Sequence, residues 1–236
     1  YKYYRPNNAI LVVSGNVTVK QIEDLAQKWF GDIPAGDVPV RNMPVEPPQE
    51  RFQRRINEAS VPVDALYMIF HIGERNHPDY YIVDLLSDVL CNGSSSRLYR
   101  RLLKKKQLFT SIDCYVTGSI DPGLLVIEAR PVEGVSLETA EAAIWHELEL
   151  IKNETIGAIE LQKVKNKVES SLIFSEANIL NKAINLAFFE LLGDAELINS
   201  EVDLYEQVTA QQIYRVANQI LNPNNCSTLY YKSNGK

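Results

Sequence analysis

Long apolar runs are missing from this sequence of 236 residues. No stretch of 18 or more apolar residues occurs, so no membrane-spanning helix is expected. Cysteine is scarce: Cys91, Cys114 and Cys226 are the only three. Their odd number and wide spacing argue against a disulfide framework and against a CxxC metal knuckle, and buried free thiols are the expected state. Such thiols suit a reducing compartment, which favours a cytoplasmic over a periplasmic location. Positive charge is not in excess either. Lys and Arg number 24 against 30 Asp and Glu, a formal net charge of −6. The one basic run, "RRLLKKK" at 100–106, reads as a solvated helix face, because nucleic acid needs a broader basic surface. No G-x-S-x-G, Walker A or G-x-G-x-x-G pattern is present. The N-terminus has no initiator Met and no charged-then-apolar leader, so the chain is expected to be cut from something longer.

What is present is ordinary for a soluble globular protein: 45% hydrophobic and 23% charged residues. The length suits one large domain, or a domain with an appendage, and is enough to bury a core. The apolar run "AILVVS" at 9–14 reads as a strand, followed by a helix from Val19 to Phe30 with Ile22, Leu25, Ala26 and Trp29 at helical spacing. Residues 31–49 are rich in Pro and Gly and read as a linker. Beyond it, "RFQRRIN" reads as an exposed strand and "DALYMIFHIG" as a buried one. "HPDYYIVDLLSDVLCNG" is a well-marked helix, with Pro78 at its first position, Gly93 at its stop and an apolar stripe of Ile82, Leu85, Leu86, Val89 and Leu90. A second helix is expected from Ser96 to Lys106, then a hairpin of strands near 109–117 and 123–130 across "GSIDPG". From Ser136 to Leu221 the pattern is almost all helical, with N-caps at Ser136 and Thr209, before a last strand in "NCSTLYYK".

One stretch tempts a metal reading. "FHIGERNHPDY" holds His71 and Glu74 in the H-x-x-E spacing of zinc peptidases of the H-x-x-E-H type. That chemistry needs two His four residues apart on one helix face, with the Glu as base for the metal-bound water. Here the second His position is Arg75, a fixed cation that cannot ligate zinc. His77 is six residues on, where a helix would turn it to the far side. A metal enzyme on His71, Glu74 and His77, with Glu147 or Glu149 as a distal ligand, is therefore the weakest alternative. The plainer reading takes His71 as a strand end, Glu74 and Arg75 as loop ions and His77 as a helix N-cap. His146, beside Trp145, reads as a rim or surface residue. Gly93, Ser94, Ser95, Ser96 and Arg97 form a polar loop that opens a helix, and free N–H groups there could hold a peptide carbonyl or carboxylate. The competing reading of Arg97 is a brace, paired with Asp79 or Asp84.

The chain also echoes itself. "RPNNAILVVSGN" near the start matches "NPNNCSTLYYKSN" near the end. The second copy follows a helix that ends a domain, so the first copy is expected to be the tail of an earlier domain built on the same plan.

Taken together, "YRPNNAILVVSGNVT", "WFGDIP", the Pro-rich linker, "HPDYYIVDLLSDVLCNGSSSRLYRRL" and "ELQKVKNKVESSLIF" resemble the pitrilysin and mitochondrial processing peptidase family of zinc metallopeptidases. The resemblance covers nearly the whole chain and is to the second of that family's two homologous domains, which lacks the zinc motif. It implies an α+β fold, a largely antiparallel sheet with several helices packed on it. It implies that residues 1–36 are the tail of a missing catalytic domain, 37–50 a linker and 51–236 the non-catalytic C-terminal domain. The two halves of such a protein close on a peptide. This fragment would then carry no catalytic residue and no metal. Zinc would sit in the missing half, which would be the partner, in the same chain or an adjacent subunit, with a dimer as a further option. Gly93, Ser94, Ser95, Ser96 and Arg97 match a region near substrate entry in processing peptidases, although the loop here is short and not Gly-rich. Gln107–Thr110 read Q-L-F-T where many relatives have G-L-A-Y, and Arg130 is out of register with a substrate-binding Arg of some relatives. A scaffold subunit of the same fold, without proteolysis, is the alternative.

Overall fold

Alternation of side chains along the strands sets the architecture. In β2 (Ala65–His71) Leu66, Met68 and Phe70 are fully buried while Tyr67, Ile69 and His71 are half-buried, so one face of the sheet meets a core and the other does not. The computed structural model describes residues 2–40, 42–44 and 46–234. Its sheet has five strands in the order β1-β5-β2-β4-β3. β1 (Gln53–Ala59) pairs parallel with β5 (Cys226–Ser233), and β5 with β2, β2 with β4 (Leu124–Pro131) and β4 with β3 (Phe109–Val116) are antiparallel. The fold is thus the largely antiparallel α+β arrangement expected. At the β3–β4 turn, Leu124 N–H donates to Thr117 Oγ1 at 2.7 Å. A Cβ at Gly123 would lie 2.4 Å from the Thr117 carbonyl oxygen, so the turn requires glycine there.

The helices that bury the sheet do so with stripes visible in the sequence. α2 (Tyr80–Cys91) buries Ile82, Leu85, Leu86, Val89 and Leu90 and lies against β3. α3 (Leu137–Asn153) packs on β2, and α7 (Ala210–Ile220) on α2 and α3. α3 carries two buried carboxylates. Glu141 accepts from Arg54 Nη2 and Tyr230 Oη at 2.5 Å each, and from Thr228 Oγ1 at 3.2 Å. Glu147 accepts from Arg101 at 2.8 Å and Lys106 at 3.4 Å. Every oxygen that burial takes from water therefore has a donor, as a buried ion must.

Two expectations change in detail. Pro78 lies before the helix rather than in it, since Asp79 is the N-cap of α2 and His77 Nδ1 accepts the Asp79 N–H at 3.1 Å. The expected Ser96–Lys106 helix is a π-helix over Tyr99–Lys105, a wider turn that apolar spacing does not encode. Gln107, just past it, sits at φ +52°.

The chain groups into two compact units, residues 48–168 with 203–236, and residues 1–47 with 169–202. The first holds the sheet. The second holds α1 (Val19–Phe30), the C-terminal end of α4 (Ala158–Glu176), α5 (Ile179–Leu191) and the start of α6 (Glu201–Glu206). In it the 9–14 run is extended but is not a strand, because no partner strand is present among the described residues. The α1 stripe is likewise uncovered, with Leu25 50% and Trp29 66% exposed. The linker has no helix or strand, and Arg41 and Val45 within it lie outside the described residues.

Candidate functional site

The "NGSSSR" loop takes its shape from the end of α2. Asn92 caps the helix, and Gly93 turns the chain at φ +92°, where other residues are strained. Ser96 closes the turn: its N–H and its hydroxyl both donate to the Gly93 carbonyl, at 3.1 and 2.7 Å. α4 then anchors the loop from outside. Lys163 Nζ donates to Ser95 Oγ at 2.7 Å, and Lys167 Nζ to Asn92 Oδ1.

Beside this loop is a cleft of about 450 Å³, walled by Gly93, Ser94, Tyr99, Lys104, Ser111 and Asp113. Ser111 and Asp113 belong to β3, which ends the sheet and pairs on one side only among the described residues. A strand edge beside a cleft is a place where an extended peptide can add its own backbone hydrogen bonds. Cys91 also reaches the cleft, but burial pushes its thiol up, away from the thiolate a nucleophile needs. Burial likewise raises the Asp88 carboxyl behind the loop, while the Asn92 hydrogen bond and the charges of Lys167 and Lys163 pull it back. Nothing in this cleft pairs a nucleophile with a base.

The five expected loop residues divide. Gly93 and Ser94 line the cleft, and Ser95 is exposed outside its lining, tied to Lys163. Ser96 and Arg97 turn inward, 1% and 9% exposed. The Arg97 fork meets Glu160 of α4, Nε to Oε1 at 3.0 Å and Nη2 to Oε2 at 2.8 Å. This bidentate contact holds the guanidinium above and the Glu160 carboxyl below its ordinary range. The brace partner is thus Glu160. Asp79 instead binds Arg215 at 2.5 Å, and Asp84 accepts from Tyr205 at 2.5 Å. Sequence reasoning missed Glu160, Lys163 and Lys167, which fix the loop from more than sixty residues away, and no local signal could have found them. Asp113 and Lys104 could have been found only by knowing the pairing of β3.

The His71–His77 segment is strand end and loop. Arg75 is a loop cation as expected, but a buried one: it is 6% exposed, its guanidinium 4.2 Å from the Tyr80 ring centroid and 4.7 Å from that of Tyr81. Its cation occupies the position where a second ligand would be needed, so the donor set does not fit zinc. Among the described residues no cluster of three His, Cys, Asp or Glu side chains is arranged to hold a metal ion. His146 is exposed on α3, and Glu147 is taken up by Arg101 and Lys106.

Comparison with known proteins fits this geometry. A family model described as "Peptidase M16 inactive domain" matches residues 1–168. The uncharacterized zinc protease YmxG of Bacillus subtilis (strain 168) is 24% identical over 221 residues, 93% of this chain and 53% of that protein. Zinc protease PqqE of Helicobacter pylori is 24% identical over 234 residues, 98% of this chain and 52% of that protein. The crystal structure of a protease from Helicobacter pylori superimposes with a TM-score of 0.91 at 23% identity, over 98% of this chain and 57% of that one. The chain spans about half the length of these relatives.

Proposed function

The chain belongs to the inactive-domain family of the M16 peptidases, and from that premise we propose that it forms one wall of a peptide-binding chamber whose other wall carries zinc. The fragment is a peptidase domain without catalytic machinery. The whole protein, in this reading, is a zinc metalloendopeptidase whose metal and base reside in a homologous half, in the same chain or an adjacent subunit. The observation that carries the proposal is the edge of β3, unpaired among the described residues, beside the cleft at Gly93 and Ser94. An extended peptide laid there gains backbone hydrogen bonds whatever its sequence, which is what a domain that supports cleavage without performing it must offer. Ser96 and Arg97 hold the loop in place for that contact.

The same proposal assigns residues 1–36 to the tail of the zinc-bearing half. Pro6–Asn8 form a 3-10 turn followed by exposed extended chain, and Pro223–Asn225 form a 3-10 turn followed by β5. The repeat supports a matching role for the first copy, as a strand in another sheet. A cytoplasmic setting completes the proposal, in keeping with three free, buried thiols.

The test is a cleft-filling substitution, Ser94→Trp, in the full protein with its zinc half. Ser94 is exposed, so the melting temperature should hold while KM for an extended peptide rises. Unchanged kinetics with a filled cleft would remove this wall from the peptide path.

A further inference from the structure

We infer that the apolar stripe of α5 is a docking face for the zinc-bearing half, a contact separate from the linker and from the peptide cleft. This rests on the two-half reading above. At 3.6 residues per turn, Leu180, Ile184, Ala187 and Leu191 fall within an arc of roughly 60°. Leu180 is 65%, Ile184 55% and Leu191 56% exposed. Phe189, the buried residue of α5 at 4% exposure, lies on the opposite side of the helix. α5 thus turns one apolar face inward and a second, regular one to solvent. Near the end of α4, Ile173 and Phe174 are likewise 58% and 78% exposed. A patch of this kind marks an interaction surface.

Two observations identify the occupant. Most of the large apolar side chains that stay exposed lie in the unit formed by residues 1–47 and 169–202. That unit also holds the 9–14 run and the α1 stripe, the two pieces assigned above to the other half. Meanwhile about half the length of the relatives lies beyond this chain, enough to cover such a surface. A lipid surface fits poorly. An interfacial helix carries several Lys or Arg on its polar face, whereas α5 has Lys182 alone, with Glu190 against it.

A photo-crosslinking amino acid, benzoylphenylalanine, placed singly at Leu180, Ile184, Trp29 and Ile159 in the full protein with its zinc half, tests this. Ile159, 89% exposed in the other unit, sets the background. Crosslinks from 180 and 184 to peptides of the zinc half that precede residue 1, several-fold above that background, support the docking face; crosslinks confined to residues 1–36 overturn it. Crosslinks from 180 and 184 to a second copy of this chain, or none above background, overturn it. In that case Trp29 separates the two ideas: a Trp29 crosslink to the zinc half leaves the two-half reading standing, and its absence takes that reading down as well.

Discussion

Replacing Arg97 by alanine separates bracing from substrate contact. The Arg97 side chain is 11% and the Glu160 side chain 26% exposed, and two charge-assisted hydrogen bonds join them. Removing the arginine strips both bonds and leaves a partly buried carboxylate without its counter-ion. Hydrogen bonds to charged groups contribute about 1.5–3 kcal/mol, and breaking a fully buried pair costs about 3–5 kcal/mol. Glu160 can still reach water, so a loss of roughly 2–3 kcal/mol is expected. For a chain of this size that is a fall of about 4–12 °C in melting temperature. The carboxyl of Glu160 is held below its ordinary value by Arg97. The stability it contributes is therefore complete above the unfolded carboxylate range and is lost as pH falls through the lower folded pKa. Thermal melts of wild type, Arg97→Ala, Glu160→Gln and the double variant, at neutral pH and near pH 3, give the coupling directly. A loss below about 0.5 kcal/mol, the range of ordinary surface substitutions, or a coupling that persists undiminished at the acid end, would refute the brace. With the zinc half supplied, activity per folded molecule should match wild type. A raised KM at unchanged stability would mean that Arg97 touches the peptide after all.

Three further outcomes are expected. Leu86, 0% exposed at the centre of the α2 stripe, should cost about 2–5 kcal/mol on replacement by alanine, measured by urea denaturation; a loss under about 0.5 kcal/mol would put the stripe on the wrong face. Gln107→Gly should stabilise by about 0.5–1 kcal/mol, because the φ of +52° strains a side chain that glycine lacks; no change in the denaturation midpoint would argue against strain there. Zinc dialysis and elemental analysis of the fragment should find no stoichiometric metal, because Arg75 is locked between Tyr80 and Tyr81 where a ligand is needed; one tightly held zinc lost on His71→Ala would contradict that.

What could be read from the sequence was what periodicity and turn chemistry carry. The α2 stripe, the β3–β4 hairpin and the caps at Ser136 and Thr209 are local, and each stands where its residues place it. The 9–14 run forms no strand among the described residues for a physical reason: a strand is made by its partner, and none is present among them. The π-turn at Tyr99–Lys105 and the pairing of Arg97 with Glu160 escaped for a similar cause. Both are settled by tertiary packing, the second across 63 residues. The burial of Arg75 was not legible because it depends on Tyr80 and Tyr81 folding back over the guanidinium, which no spacing in the sequence encodes.

Cleavage of an extended peptide by the zinc-bearing half, measured alone and then with this chain added, is the most direct test. The paired halves should cleave with a kcat/KM well above that of the zinc half alone, chelation should abolish the activity, and this chain by itself should show none. A zinc half that cleaves equally well without its partner would contradict the claim that this domain builds half of the chamber.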